Sequence, residues 1–112
     1  MRPVALVAGF YPVVLAGFYA ADYRKMLFHI TYEISPQERD QAQKRFKETG
    51  APPPEGVTMQ GRWHSAAGHI GFLVAESSDA VAIGKWMQSW TDLLAFDITP
   101  VLTDEEVAEV IG

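Results

Sequence analysis

The sequence predicts an α+β sandwich in which two helices cover one face of a four-stranded antiparallel sheet. Several short segments alternate apolar and polar residues with a period of two, as strands do. Two longer segments carry apolar residues at helical spacing, and turn-forming residues separate the segments. The chain from residue 26 onward therefore reads as β-α-β-β-α-β, followed by a short C-terminal helix.

The first strand and the first helix have clear boundaries. Met26–Ile34 alternates strictly, which predicts a strand. Ser35–Glu38 matches a capping box with proline at the first helical position, and the helix that it opens is predicted to end at Gly50. Pro52–Gly56 then forms a stiff connector, because three consecutive prolines fit neither a helix nor a central strand.

A hairpin and a second helix are predicted next. Val57–Ser65 and His69–Glu76 flank a turn of small residues, which predicts a β-hairpin. Ser77 and Ser78 are candidate N-caps of the second helix. Apolar side chains then follow helical spacing and are expected in the core: Ile83, Trp86, Met87, Trp90 and Leu94.

The last strand completes the fold pattern. Ala95–Leu102 is predicted as this strand, and Pro100 indicates an edge position. Thr103 begins a second capping box, which opens a short acidic helix that reaches Ile111. The order is that of the split β-α-β, or ferredoxin-like, sandwich. Right-handed crossovers place the first and third strands in the centre and the second and fourth at the edges.

Alternation along the strands divides the sheet into a face toward the helices and an open face. The predicted helix-facing set is apolar and comprises Phe28, Ile30, Val57, Met59, Trp63, Ile70, Phe72, Val74, Phe96 and Ile98. The predicted open face is mixed and comprises Leu27, His29, Thr31, Glu33, Thr58, Gln60, Arg62, His64, His69, Leu73, Asp97, Thr99 and Val101.

Some cover for the open face is expected, because two helices can cover only one face and the other retains apolar residues. A second copy packed sheet to sheet would bury them and enclose a cavity with polar lining. We therefore expect a homodimer that forms an α/β barrel. The alternative is an open face whose polar side chains simply contact water.

Composition excludes several classes of function. The chain has 112 residues, enough for one small domain, and a formal net charge of −5, which argues against nucleic acid as a partner. It has no cysteine, which excludes disulfides, cysteine-ligated metal clusters and a thiol nucleophile. The sequence also lacks nucleotide-binding glycine loops, a GxSxG elbow and an HExxH metal motif.

The first 25 residues differ from the rest. Pro3–Ala21 contains 19 consecutive uncharged residues, whereas residues 26–112 carry six basic and thirteen acidic side chains. We interpret residues 1–25 as an extension outside an acidic domain of residues 26–112, with a cytoplasmic location. A membrane anchor and an export signal are the alternatives, although Pro12 interrupts the apolar run.

Two groups of polar residues on the predicted open face are candidates for chemistry. His29 lies where Asp97 of the neighbouring strand could orient it as a general base; the alternative is a structural histidine in a dimer interface. Arg62 and His64 point the same way and suit a carboxylate, enolate or phosphate group, with Thr31 and Gln60 as further ligand contacts. The alternative for Arg62 is a salt bridge to Glu33, to Asp97 or to a second copy.

A metal site is not expected. His64 and His69 flank a tight turn and would lie opposite each other, but zinc needs a third and fourth ligand. Glu33 or His29 would have to complete the set, and we expect neither a metal nor any other cofactor.

Three segments carry a resemblance to a known family. They are MLFHITYE at residues 26–33, QAQKRFKETGAPPPEGVTMQGRWHS at residues 41–65, and WMQSWTDLLAFD at residues 86–97. Together they resemble family 3303 among the domains of unknown function. That family is similar to the dimeric α/β-barrel superfamily, which includes cofactor-free monooxygenases, isomerases, polyketide cyclases and haem-binding enzymes. The resemblance implies an architecture and brings no catalytic residue with it. A haem ligand at His29 would follow only by that analogy.

Two functions remain open at this point. The first is a homodimer that binds a small anionic or aromatic molecule between its sheets, with His29, Arg62, His64 and Asp97 at the site and with cofactor-free oxygenase or isomerase chemistry as one form of it. The second is a structural or interaction module without catalysis.

Overall fold

A computed structural model describes residues 24–112, and its helices and strands follow the predicted order. The strands are β1 (Met26–Ile34), β2 (Thr58–His64), β3 (Ile70–Ser77) and β4 (Leu94–Val101). The helices are α1 (Arg39–Thr49), α2 (Ala80–Gln88) and α3 (Asp104–Ile111). This order confirms the α+β, ferredoxin-like fold class. The predictions of an extension, an anchor or a signal concern residues 1–25, of which residues 1–23 lie outside the described residues.

The strands form one antiparallel sheet in the order β2-β3-β1-β4. The first and third strands are central and the other two are at the edges, as predicted. The predicted hairpin joins β2 to β3. Its turn closes when the Gly68 amide donates to the Ser65 carbonyl at 3.0 Å, and Gly68 has the left-handed φ of 85° that favours glycine.

Two of the predicted helix starts are wrong. The chain makes a turn directly after β1, and α1 begins only at Arg39, with Glu38 as an N-cap that makes no side-chain hydrogen bond. The capping box at Ser35 is therefore absent. The predicted end is confirmed, because Gly50 adopts a left-handed φ of 73° and its amide donates to the Phe46 carbonyl.

The N-cap of the second helix is Asp79 rather than Ser77 or Ser78. The Asp79 carboxylate accepts a hydrogen bond from the Val81 amide at 2.9 Å. Ser77 is buried and has another role: its hydroxyl donates to the Gly56 carbonyl at 2.8 Å and accepts from the Asp79 amide at 3.0 Å. It thereby ties the proline-rich connector to the start of α2.

The other helix ends are mixed. α2 ends at Gln88, so Trp90 and Leu94, predicted within its apolar stripe, lie beyond it in a turn and at the start of β4. The capping box of α3 is confirmed, because Thr103 and Glu106 exchange side-chain and backbone hydrogen bonds of 2.9 and 3.2 Å.

A β-bulge in β2 overturns part of the predicted face assignment. Met59 pairs with Ala75 and Gly61 pairs with Val74, so Gln60 is an extra residue on this strand. Every side chain after the bulge changes face relative to the simple alternation. Trp63, predicted toward the helices, therefore lies on the open face. Arg62 and His64, predicted on the open face, lie on the helix side.

The face assignment of β3 is also wrong. Leu73 and Ala75 are buried beneath the helices, whereas the apolar set predicted there lies on the open face: Ile70, Phe72 and Val74. Both alternating sets of this strand are apolar, so the period of two does not choose between them. Steric fit determines which face of β3 packs against the helices, because Gly71 and Ala75 are small enough to admit Tyr32 and the side chains of α2.

The core beneath the helices consists of two clusters. The larger lies under α2 and comprises Phe28, Ile30, Val57, Leu73, Ala75, Ile83, Trp86 and Met87. The smaller lies near α1 and comprises Tyr32, Ile34, Ala42 and Leu93. Ala42 is the only residue that α1 buries. The sheet beneath α1 is consequently packed less fully than the sheet beneath α2.

We expect Ser77→Ala to lower the free energy of unfolding by about 1–2 kcal/mol, because the Gly56 carbonyl and the Asp79 amide both lose their hydrogen-bond partner. Ser78→Ala is the matched control, since Ser78 is exposed and should cost less than about 0.5 kcal/mol. Urea unfolding of both variants measures the difference. Equal free energies of unfolding for the two variants would show that the hydrogen bonds of Ser77 do not stabilise the fold.

Candidate functional site

A pocket of about 340 Å³ lies between the helix side of the sheet and α1. It exists because α1 contributes only the small Ala42 to the core and leaves the sheet beneath it partly uncovered. Most of its wall is apolar, with side chains from the sheet, from both helices and from the turn after α2: Phe46, Leu73, Trp86, Met87, Trp90 and Phe96. Its polar groups gather at one corner, where β2 enters the hairpin.

A hydrogen bond between Tyr32 and His64 forms the centre of this polar corner. Tyr32 of β1, Gly71 of β3 and His64 of β2 lie in one row across three strands. Because Gly71 has no side chain, the Tyr32 ring lies across it, and any Cβ there would collide with that ring. The Tyr32 hydroxyl thereby reaches His64 Nδ1 at 2.6 Å.

The protonation states of this pair follow from their surroundings. Burial raises the pKa of Tyr32 above its usual value near 10, so the hydroxyl keeps its proton at neutral pH. Burial, and then the charge of Arg62, lower the pKa of His64 below its usual 6.5, so the imidazole is neutral. The contact between the Tyr32 hydroxyl and His64 Nδ1 is therefore a hydrogen bond between two neutral groups.

Arg62 lines the same pocket and contacts the end of α1. Its two terminal nitrogens donate to the carbonyls of Gly50 and Ala51, each at 2.9 Å. Its guanidinium carbon lies 4.9 Å from the centre of the Phe46 ring, in a cation–π contact. Ala51 has a left-handed φ of 43°, which is uncommon for a residue other than glycine, and Arg62 holds its carbonyl in place.

The charge of Arg62 has no acidic partner in the described part of the chain. Within residues 24–112 the ion pairs join Lys25 to Glu76, Arg39 to Asp40 and Arg45 to Asp92. No aspartate or glutamate lines the pocket. Burial lowers the pKa of Arg62, but a guanidinium stays charged at any physiological pH.

Ser65 adds an unsatisfied group at the same corner. Its hydroxyl oxygen is buried and has no hydrogen-bond partner among the described residues. The residue follows His64 and lines the pocket. Buried hydroxyls are normally paired with protein or water, so this one is free to bind a group that enters the pocket.

A second arginine, Arg45 of α1, joins this helix to the turn after α2. Arg45 donates to both carboxylate oxygens of Asp92, at 3.0 and 2.6 Å, and lies 5.0 Å above the centre of the Trp90 ring. This hydrogen bonding lowers the pKa of the Asp92 carboxyl. Two arginine contacts therefore hold α1 over the pocket where apolar packing is sparse.

The open face of the sheet carries the other predicted site residues. They border a shallow concavity of about 600 Å³ together with aromatic side chains: His29, Thr31, Glu33, Trp63, Phe72 and Asp97. His29 is paired with Thr99, and Asp97 is paired with Thr31, so His29 and Asp97 are diagonal neighbours. Neither side chain makes a hydrogen bond within residues 24–112.

An aromatic cluster covers part of this open face. Trp63 lies over Gly61, where a Cβ would collide with its ring, and it stacks on Phe72 with ring centres 5.1 Å apart. Phe72 in turn lies 5.4 Å from the His29 ring. Trp63 was expected in the core, and its exposure corrects that prediction.

The predicted site residues therefore do not share one cavity. Arg62 borders only the pocket on the helix side, His64 borders both spaces, and Gln60 lies in the bulge and borders neither. The prediction that Arg62 lies on the open face, in the wall of a cavity between two sheets, is wrong, because the bulge turns its side chain to the helix side. Tyr32 was missed as a site residue in the sequence analysis, because its helix-facing position in β1 predicts a core residue. Only its hydroxyl group indicates that it could also form a hydrogen bond at the pocket.

Two further expectations concern metals and membranes. His64 lies opposite Gly71, so the expected His64–His69 pair does not form. No group of three or more metal-ligating side chains occurs within the part of the chain that the structure describes.

Among these same residues, no helix has the length and apolar character needed to cross a membrane.

Comparison with known proteins identifies the family. The family model described as domain of unknown function (DUF3303) matches residues 26–112. The chain belongs to this family. This DUF3303 chain is also similar, at 10% identity and a TM-score of 0.47, to a conserved protein of unknown function from Bacteroides thetaiotaomicron whose structure is described as a possible oxidoreductase. That similarity covers 69% of this chain and 95% of the other. The curated proteins include no match to the chain.

We expect the stability that His64 contributes to fall at acid pH. Its folded-state pKa lies below the unfolded value of about 6.5, because burial and the charge of Arg62 disfavour the protonated ring, so protonation favours the unfolded chain. Urea unfolding of the wild type and of His64→Gln at pH 7.5 and 5.0 measures this. The stability of the wild type relative to the variant should be lower at pH 5.0, and a difference that stays constant or grows contradicts the assignment.

Proposed function

We propose that this DUF3303 chain binds a small molecule in the pocket between α1 and the sheet. The observation that carries the proposal is the combination of an unfilled aromatic-lined volume with polar groups at a single corner. Small-molecule sites commonly have this composition, with an apolar wall for affinity and a few polar groups that fix orientation. The volume of about 340 Å³ also falls within their usual range.

The polar residues of the pocket project from rigid elements. This supports a binding site as the explanation of the pocket, rather than a defect in the packing of the core. Tyr32, His64 and Arg62 all project from strands of the sheet, and the row through Gly71 fixes the first two relative to each other. The buried Ser65 hydroxyl is the unpaired member of this corner. A ligand with hydrogen-bonding atoms at one end and an apolar body would match both parts of the pocket.

A route into the pocket runs between α1 and the hairpin. Gln43 on α1 and the hairpin turn at Ala66 and Gly68 line this side, and the Gln43 and Ala66 side chains are exposed. The exposed residues Phe46 and His64 also line the pocket, with ring centres 5.4 Å apart. Small movements of exposed side chains would therefore admit a flat molecule.

The proposal is tested by filling the pocket. We expect 2-naphthoate or 2-naphthamide to bind the wild-type chain saturably by calorimetry, and Ala42→Leu to weaken that binding by about tenfold or more, because the added side chain extends from α1 into the pocket. Ala108→Leu, at an exposed position of α3, is the matched control and should bind as the wild type does. Absence of saturable binding by both probes, or equal binding by Ala42→Leu, would reject the proposal.

A second function is favoured by the open face, where we propose that two copies of the chain pack sheet to sheet. Trp63, Ile70 and Phe72 are exposed there by 53%, 44% and 40%. Contiguous aromatic and aliphatic exposure of this kind marks protein interfaces. Polar groups such as His29 and Asp97 would then line the space between the two sheets.

The size of the face is adequate for such an interface. Four strands about 4.8 Å apart, with about eight residues each at roughly 3.4 Å, give a face of about 500 Å² in projection. The accessible area of a corrugated face is larger than its projection, so each copy would approach the roughly 800 Å² typical of a stable complex. This makes a second copy of the chain a suitable occupant.

We expect Phe72→Lys to convert a dimer into a monomer, because each copy would bury a charge against the aromatic cluster. Val81→Lys is the matched control: Val81 is an apolar residue of α2 with 63% exposure, away from this face. Sedimentation velocity at several concentrations measures the mass. A monomeric wild type at high micromolar concentration, or a dimer unaffected by Phe72→Lys, would exclude the sheet-to-sheet arrangement.

A further inference from the structure

We infer that the ligand of the pocket on the helix side is an aromatic anion, bound with its negative group toward Arg62 and Ser65 and with its ring against the aromatic wall. This inference rests on the proposed function of the pocket and adds the chemical class of the ligand. A carboxylate or a sulfonate would supply the required group.

The unneutralised charge of Arg62 is the first support. The side chain is half-buried and has no carboxylate partner among residues 24–112, whereas Lys25, Arg39 and Arg45 each pair with a carboxylate. A buried charge is unfavourable unless it is paired, and the carbonyls of Gly50 and Ala51 offer only partial charges. An anionic ligand would supply the missing full charge.

The excess of donors at the corner is the second support. A guanidinium has five N–H groups, and the two carbonyl contacts leave further ones for a ligand. The Ser65 hydroxyl has no partner among the described residues, and Gln43 places an amide on the same lining. No carboxylate lines the pocket to compete for these donors. Such a corner matches a group with two acceptor oxygens, which arginine binds well.

The wall determines the rest of the ligand. Phe46, Trp86, Trp90 and Phe96 present aromatic surfaces around the volume. Arg62 already lies over the face of Phe46, so an anion at Arg62 brings its attached ring beside that side chain. The volume of about 340 Å³ is near the lower end for ligand sites and suits one or two fused rings.

The test compares two probes of equal shape and different charge, 2-naphthoate and 2-naphthamide, by calorimetry on the full chain. We expect the wild type to bind naphthoate about 10- to 100-fold more tightly than naphthamide, the gain of one or two charge-assisted hydrogen bonds. Arg62→Gln should reduce this ratio to about one. Arg39→Gln removes the same charge from an exposed residue of α1 and should leave the ratio unchanged.

The outcomes separate this inference from the proposed function. Equal binding of both probes to the wild type would overturn the anion and leave the pocket intact as a binding site. Binding of neither probe would overturn both. A ratio that persists in folded Arg62→Gln would overturn the role of Arg62. Arg62→Lys keeps the charge without the planar fork, so it decides the matter if Arg62→Gln fails to fold: an intermediate ratio supports the role, and an unchanged ratio opposes it.

Discussion

One extra residue in the edge strand β2 determines which face of the sheet carries Arg62, Trp63 and His64. Gln60 has no partner in the ladder between β2 and β3, so the register shifts between Met59 and Gly61. A shift of one residue exchanges the two faces of a strand. Arg62 and His64 consequently face the helices, and Trp63 faces away from them. Without the bulge, an arginine and a histidine would lie on the open face, and an indole would fill the space where the pocket now lies.

Two glycines make this arrangement sterically possible, each on one face of the sheet. Gly61 leaves room for the Trp63 ring on the open face, and Gly71 leaves room for the Tyr32 ring on the helix side. Without the second glycine, Tyr32 could not cross β3 to reach His64. Each residue from Gly61 to His64 thus has an identifiable role. Gly61 leaves space for the Trp63 ring, and Arg62 binds the end of α1. Trp63 is exposed on the open face, and His64 forms a hydrogen bond with Tyr32.

The sequence predicts the elements of this fold better than their faces. Periodicity and turn residues are local signals, and they predict the order of the strands and helices, the end of α1 at Gly50 and the capping box at Thr103. Faces depend on tertiary packing. Both alternating sets of β3 are apolar, and the only local sign of the bulge is a glycine inside a strand. The prediction that Arg62 and His64 share a face still holds, because residues two apart in a strand change face together. The sequence around Tyr32 does not indicate a role at the pocket, apart from the hydroxyl group of the residue itself.

The same shift explains why a basic side chain stays unpaired in a domain with an excess of acidic ones. Glu33 and Asp97 were the carboxylates expected to pair with Arg62, and both lie on the open face. The bulge puts the sheet itself between them and the guanidinium, which donates instead to two backbone carbonyls and lies over the Phe46 ring. Since α1 is held over the pocket by arginine contacts and little apolar packing, the space beside that charge is not filled by the core. The register of β2 therefore places the cation beside the space that α1 leaves uncovered, and a change that restored regular pairing there would move the guanidinium to the open face.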